Sequence, residues 1–100
     1  MDKYTVYISP QAYRDIDLIY EYIREEFSSE NTAINMIDLI EQAIISLEEI
    51  PQRGAERKVG QYAYQGYRQL FVKNYTIIYR IDEDTKAVAV ITVRYSHSDF

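Results

Sequence analysis

The sequence predicts an α+β domain in two layers: an N-terminal strand, an αα-hairpin, and an antiparallel sheet from the C-terminal half, in the order β-α-α-β-β-β with room for one extra strand. Three observations predict it. Apolar residues recur at steps of three and four between Ala12 and Ile50, which is the spacing of one helix face. Apolar and polar residues alternate from Tyr4 to Ile8 and again from Tyr67 to Ile81, which is the spacing of a strand. The break between the helical stretches is short, so they pack side by side as a hairpin and cover one face of the sheet.

The elements follow in order. Tyr4, Val6 and Ile8 point one way and Thr5 and Tyr7 the other, giving the first strand. Ser9 is a helix cap and Pro10 fits the first helical position, where its missing N–H is no loss. Ala12, Ile16, Ile19, Tyr20, Ile23 and Phe27 form the buried stripe of the first helix. "SSEN" interrupts the pattern, with Ser28 or Ser29 as the next cap. The second helix carries Ala33, Met36, Ile37, Ile40, Ala43, Ile44, Leu47 and Ile50, and Pro51 stops it. Gly54, Gly60 and Gly66 punctuate an irregular segment, in which residues 59–64 offer the extra strand. "YRQLFVKNYTIIYRI" is two strands turning at Asn74; Asp82 to Lys86 is a second turn, Ala87 to Tyr95 the last strand, and "SHSDF" a tail. The first strand pairs most simply with a strand of this meander. The sheet face away from the helices is expected to have no element left to cover it.

One hundred residues with 47% apolar composition and only five Gly and Pro make one ordered domain, residues 1–100. Cysteine is absent, so there is no disulfide or thiolate metal site. One histidine and scattered carboxylates lack metal-ligand spacing, and there is no phosphate-cradling glycine loop; no metal and no cofactor are expected. Met1, Asp2 and Lys3 begin no secretion leader and no apolar run reaches membrane-spanning length, so a cytoplasmic protein with no membrane partner is expected. Residues 1–50 hold eleven acids against three Lys and Arg, a net −8, whereas residues 51–100 hold five against eight, a net +3. Such separation predicts a positive surface for a polyanion or an acidic protein. Arg68, Arg80 and Arg94 recur at even positions on three successive strands and, if in register, gather on one side as an anion-binding row. Taken singly, Lys73 and Arg80 are expected to be peripheral charge, and Arg53, Arg57 and Lys58 loop charge without fixed geometry.

The chain resembles the RelE/ParE superfamily, the toxins of bacterial type II toxin–antitoxin pairs, along nearly its whole length. The carriers are "ISPQAYRDIDLIYEYI", "AIISLEEIPQRG", "GYRQLFVKNYTIIYRI" and "ITVRY", in this order and spacing. The resemblance implies a helical hairpin on a curved antiparallel sheet, and a cognate antitoxin whose segment wraps the toxin. RelE-like members cut mRNA on the ribosome, helping the ribose 2′-OH attack the neighbouring phosphate with Arg or Lys holding charge and His, Tyr or Glu moving protons. ParE-like members lack that set and are described as poisoning DNA gyrase. The long hairpin and "IPQRG" look more like the ParE branch. The nuclease branch commonly has Arg after the Tyr that opens the second hairpin strand, where this chain has Thr76.

Two further functions stay open beside gyrase poisoning. In a RelE-like ribosome-dependent endonuclease, His97 would carry the proton, Arg68 and Arg94 would hold phosphate, and Tyr95 would stack on a base. An inactive toxin fold kept only to bind antitoxin is the other. The target-binding set is Arg68, Arg80, Arg94 and Tyr95 in each active case; Arg68 has the competing structural role of an ion pair with Glu48, Glu49 or Asp99. Exposed apolar surface under the antitoxin would support a homodimer or a mixed complex.

Overall fold

The computed structural model describes residues 3–100; Met1 and Asp2, at the start of the segment where no secretion leader is expected, lie outside it. The elements are β1 (Thr5–Ile8), α1 (Pro10–Glu26), α2 (Glu30–Ser46), β2 (Ala55–Glu56), β3 (Tyr67–Val72), β4 (Tyr75–Asp82) and β5 (Ala87–Tyr95), with single 3₁₀ turns at Pro51–Arg53 and Gly60–Tyr62. The extra strand falls at Ala55–Glu56, ahead of the expected place, where Val59 and Tyr62 flank or join a 3₁₀ turn instead. Both helix starts are capped as the sequence indicates: Ser9 accepts from the Ala12 N–H and Ser29 from the Thr32 N–H.

The sheet order is β1-β5-β4-β3-β2. Every neighbouring pair is antiparallel except β1 and β5, which run parallel, so the sheet is mixed rather than wholly antiparallel. The cause is the out-and-back path of the hairpin. It returns the chain to where β1 began, and the Tyr4 N–H donates to the Glu48 carbonyl there at 2.8 Å. A three-strand meander from that end makes its last strand run the way β1 runs.

Beyond Ile8, α1 replaces β1 along the edge of β5. The Ser9 N–H donates to the Val90 carbonyl and the Ser9 hydroxyl to the Ile91 carbonyl. The buried Asp15 carboxylate then accepts from the Val93 N–H at 3.1 Å and from the Thr92 hydroxyl. Open strand-edge groups in an apolar setting need such partners.

The core lies between the hairpin and one sheet face. Ala12, Ile40, Leu47, Ile77, Tyr79, Val88 and Val90 are fully buried there. Among the described residues, no helix is long and apolar enough to cross a membrane.

Candidate functional site

Strand register decides where each arginine goes. The turn at Lys73 and Asn74 sets Arg68 opposite Tyr79 and Leu70 opposite Ile77, so even positions on β3 meet odd positions on β4. Arg68 therefore shares the helix side of the sheet with Tyr79, while Arg80, one residue on, lies on the other side. A bulge in β5 shifts the register again: Ile78 faces Thr92 but Tyr79 faces Val90, leaving Ile91 as the extra residue. The bulge parts Val90, which enters the core, from Thr92 and Arg94, which share the outer face with Ile78 and Arg80. The three arginines do not form one row: the β3–β4 turn puts Arg68 on the helix side, while the bulge in β5 brings Arg94 onto the same outer face as Arg80.

Arg68 is half-buried and anchors the segment before β2. Its Nε donates to the Gly54 carbonyl at 3.0 Å, and its Nη2 to the same oxygen at 2.6 Å and to the Gln52 carbonyl at 3.2 Å. Its partners are main-chain carbonyls rather than Glu48, Glu49 or Asp99. Tyr79 supports the same turn from below, donating to the Pro51 carbonyl at 2.7 Å and accepting from the Gly54 N–H at 2.9 Å. A side chain on Gly54 would meet the Gln69 carbonyl oxygen at 2.3 Å, so the strand passes closely only because Gly54 has none.

Arg80 is exposed, its guanidinium 5.2 Å from the centre of the Tyr67 ring. Asp82, Glu83 and Asp84 flank it in a shallow cleft of about 540 Å³. Arg94 lies opposite Thr76, four residues from Arg80 along β4 or roughly 13 Å at about 3.3 Å per residue. It donates to the Thr92 hydroxyl and stands 5.7 Å from the Phe100 ring.

The outer face is not bare. Phe100 is 8% exposed and folds back over it, with Ile78 and Thr92 fully buried beneath this side. Arg57, expected as loose loop charge, is 7% exposed and holds that cover in place. It donates to the Val59 carbonyl, the Gln69 side-chain oxygen and the Phe100 carbonyl, and its guanidinium sits 4.5 Å from the centre of the Phe100 ring. Gly60, at φ +74°, passes so close to the Phe100 carbonyl that any side chain there would overlap it. Neither Arg57 nor Phe100 stands out in the sequence. The one signal is the glycine at position 60, which matters only once its neighbour is known.

Tyr95 ends β5 on the helix side, 49% exposed, with its ring edge-on to Tyr75 at 6.0 Å and to His97 at 5.2 Å. His97 is exposed and makes no hydrogen bond among the described residues. Thr76 is 1% exposed and shares a 2.8 Å hydrogen bond with the Ser96 hydroxyl. Cleavage needs a base, an acid and a cation around one phosphate. Arg68 and Tyr95 are about four residues and two strand spacings apart, roughly 16 Å, so Arg68 and His97 do not come together in this arrangement. No three His, Asp or Glu side chains converge as a metal site among the described residues.

A strand, a helical hairpin and a meander whose last strand returns beside the first is the fold of the RelE/ParE superfamily toxins. Solved structures of toxins share it. The chromosomal ParDE toxin–antitoxin system from P. aeruginosa has a chain that superposes with a TM-score of 0.77 at 17% identity, covering 93% of this chain and 96% of that one. The RelBE2 toxin–antitoxin complex from Mycobacterium tuberculosis gives 0.66 at 22% identity, covering 95% and 93%. The YoeB/ParE toxin from Agrobacterium tumefaciens gives 0.61 at 20%, covering 91% and 96%. No curated protein sequence matches the chain. The family model for the ParE toxin of the type II toxin–antitoxin system, parDE, matches residues 6–100, and the chain belongs to that family.

Proposed function

We propose that this ParE-type toxin arrests growth by poisoning DNA gyrase in the cytoplasm and is neutralised by a cognate antitoxin, without catalysing a reaction of its own. Family membership supports the antitoxin partner, and the ParDE and RelBE2 neighbours are toxin–antitoxin systems. The observation that carries the choice of gyrase over mRNA is the fate of Arg68. Its Nε and Nη2 are engaged by the carbonyls of Gln52 and Gly54, on the face opposite Arg80 and Arg94. Thr76, at the position where the nuclease branch carries Arg, adds a buried hydroxyl and no charge. The groups left to meet a target are Arg80 on the outer face, Arg94 near the end of β5 on that face beside Phe100, and Tyr95 at the sheet end.

The experiment incubates the purified chain with DNA gyrase and plasmid, and separately with a translating extract. The expected result is blocked supercoiling or trapped DNA breaks, undiminished in His97→Ala, relieved by the protein of the neighbouring reading frame. Transcript cuts that need translation and vanish in His97→Ala would instead establish the ribosome-dependent endonuclease. Absence of both, with retained binding to the neighbouring protein, would make the chain an inactive antitoxin-binding module.

A further inference from the structure

A groove of about 580 Å³ opens where the end of α1, the start of α2 and the β4–β5 end of the sheet meet. That size lies within the range of about 300–1,000 Å³ usual for ligand sites. Phe27, Met36 and Leu39 form its apolar walls, and Tyr22, Tyr75 and Tyr95 stand around it. None of the residues lining it is charged. Among the exposed apolar side chains, Tyr22, Phe27, Leu39 and Tyr95 all belong to this one surface.

Tyr75 is the unusual member. It is 8% exposed, yet its hydroxyl has no hydrogen-bond partner among the described residues. The hydroxyl is not sealed off, since no fully buried polar side-chain atom lacks a partner. It is therefore a deep donor and acceptor open to the groove. Burial, then Tyr22 and Tyr95, raise its pKa above the ordinary value, and the Tyr95 ring stands edge-on to it at 6.0 Å.

The chemistry of an occupant follows. A plain aliphatic side chain would satisfy the walls but leave the Tyr75 hydroxyl desolvated and unpaired, which is costly. A carboxylate or phosphate would find donors in the Tyr75 hydroxyl, Thr32, Asn35 and Asn74, but would sit in the field of the hairpin, where residues 10–46 hold eight acids and two arginines. A guanidinium suits both: it donates to phenol oxygens and stacks on aromatic faces, while its aliphatic stem lies along apolar walls. The volume leaves room for apolar neighbours beside it.

We propose that this groove seats an arginine side chain carried on an apolar segment of a partner protein. The placement does not depend on whether gyrase or the ribosome is the target. It makes the acidic hairpin, rather than the arginine-bearing sheet, the docking side for that partner.

Two measurements on the full chain test it. Proton and carbon NMR titrations with n-butylguanidinium, n-pentanol and pentanoate read the groove directly. Butylguanidinium is expected to shift Tyr22, Tyr75, Tyr95 and Met36 signals with at least about fivefold higher affinity than either other probe. Tyr75→Phe, which keeps the ring and the fold, should remove most of that preference. Selection of a random 12-residue peptide library on the immobilised chain, against a Leu39→Glu variant as the negative, should enrich arginine flanked by apolar residues. Equal binding of pentanol, preference for pentanoate, no shifts at all, or enriched peptides without arginine would each overturn the proposal. So would a homodimer that Tyr22→Ala dissolves, since a second copy would then be the occupant.

Discussion

Removing the Arg68 side chain tests whether this residue faces a target or holds a loop. In Arg68→Ala the Gly54 carbonyl loses donors at 2.6 and 3.0 Å and the Gln52 carbonyl one at 3.2 Å. Hydrogen bonds from a charged donor contribute about 1.5–3 kcal/mol each, but two of these share one oxygen and the site is half-open to water. A net loss of about 2 kcal/mol follows, which for a domain of this size lowers Tm by roughly 8–16 °C. Arg68→Lys, with one compact head in place of a fork, should recover about half of it. Urea unfolding followed by circular dichroism gives the stabilities, and gyrase inhibition is measured at a temperature where every variant is folded. Structural anchoring predicts lost stability with inhibition kept per folded molecule. An Arg68→Ala protein within about 0.5 kcal/mol of the parent but at least tenfold weaker on gyrase would refute the reasoning, because the guanidinium would then be meeting the target.

Two further outcomes are expected. Tyr79→Phe strips the partner from the buried Pro51 carbonyl and Gly54 N–H, and should cost about 2–4 kcal/mol in urea unfolding, with little change in the strands themselves. Burial, with Tyr22 and Tyr95 nearby, holds the Tyr75 proton beyond its ordinary value of 10.0. The unfolded chain then releases it first, so the contribution is intact below about pH 10 and is lost as pH rises past it. Unfolding free energies between about pH 9 and 11 should fall less steeply in Tyr75→Phe than in the parent.

The elements were legible in the sequence because periodicity and caps are local. Ser9 and Ser29 cap where they stand, and β3 and β4 form over Tyr67–Val72 and Tyr75–Asp82, although Tyr75 to Tyr79 are buried on both faces. The site was harder to read because it depends on register. A single two-residue turn puts Arg68 across from Tyr79, and a single extra residue at Ile91 separates Arg94 from Val90. Neither leaves a mark in composition. The parallel β1–β5 pairing likewise depends on where the hairpin returns the chain, a contact between Tyr4 and Glu48. The cover on the outer face was missed because it joins Arg57 and Gly60 to Phe100, some forty residues away.

The concentration of arginine between the second helix and β4 has a physical cause beyond any target. Residues 47–66 contain only one two-residue strand and two short 3₁₀ turns, so their carbonyls have few partners in regular ladders. Arginine offers five donors and no acceptor, which makes it suited to such a stretch. Arg53 donates to the Ser46 hydroxyl, Arg57 to two main-chain carbonyls and a side-chain amide, and Arg68 to the carbonyls of Gln52 and Gly54. Much of the positive charge in this half is thus consumed inside the protein, on neutral acceptors. Arg80, the exposed one of Arg68, Arg80 and Arg94, has Asp82, Glu83 and Asp84 beside it, which weakens its pull on a polyanion. On the proposed reading, a target held by the outer face meets a few placed contacts at Arg80 and Arg94, and raising the salt concentration should weaken it far less than it weakens a protein that neutralises a row of phosphates.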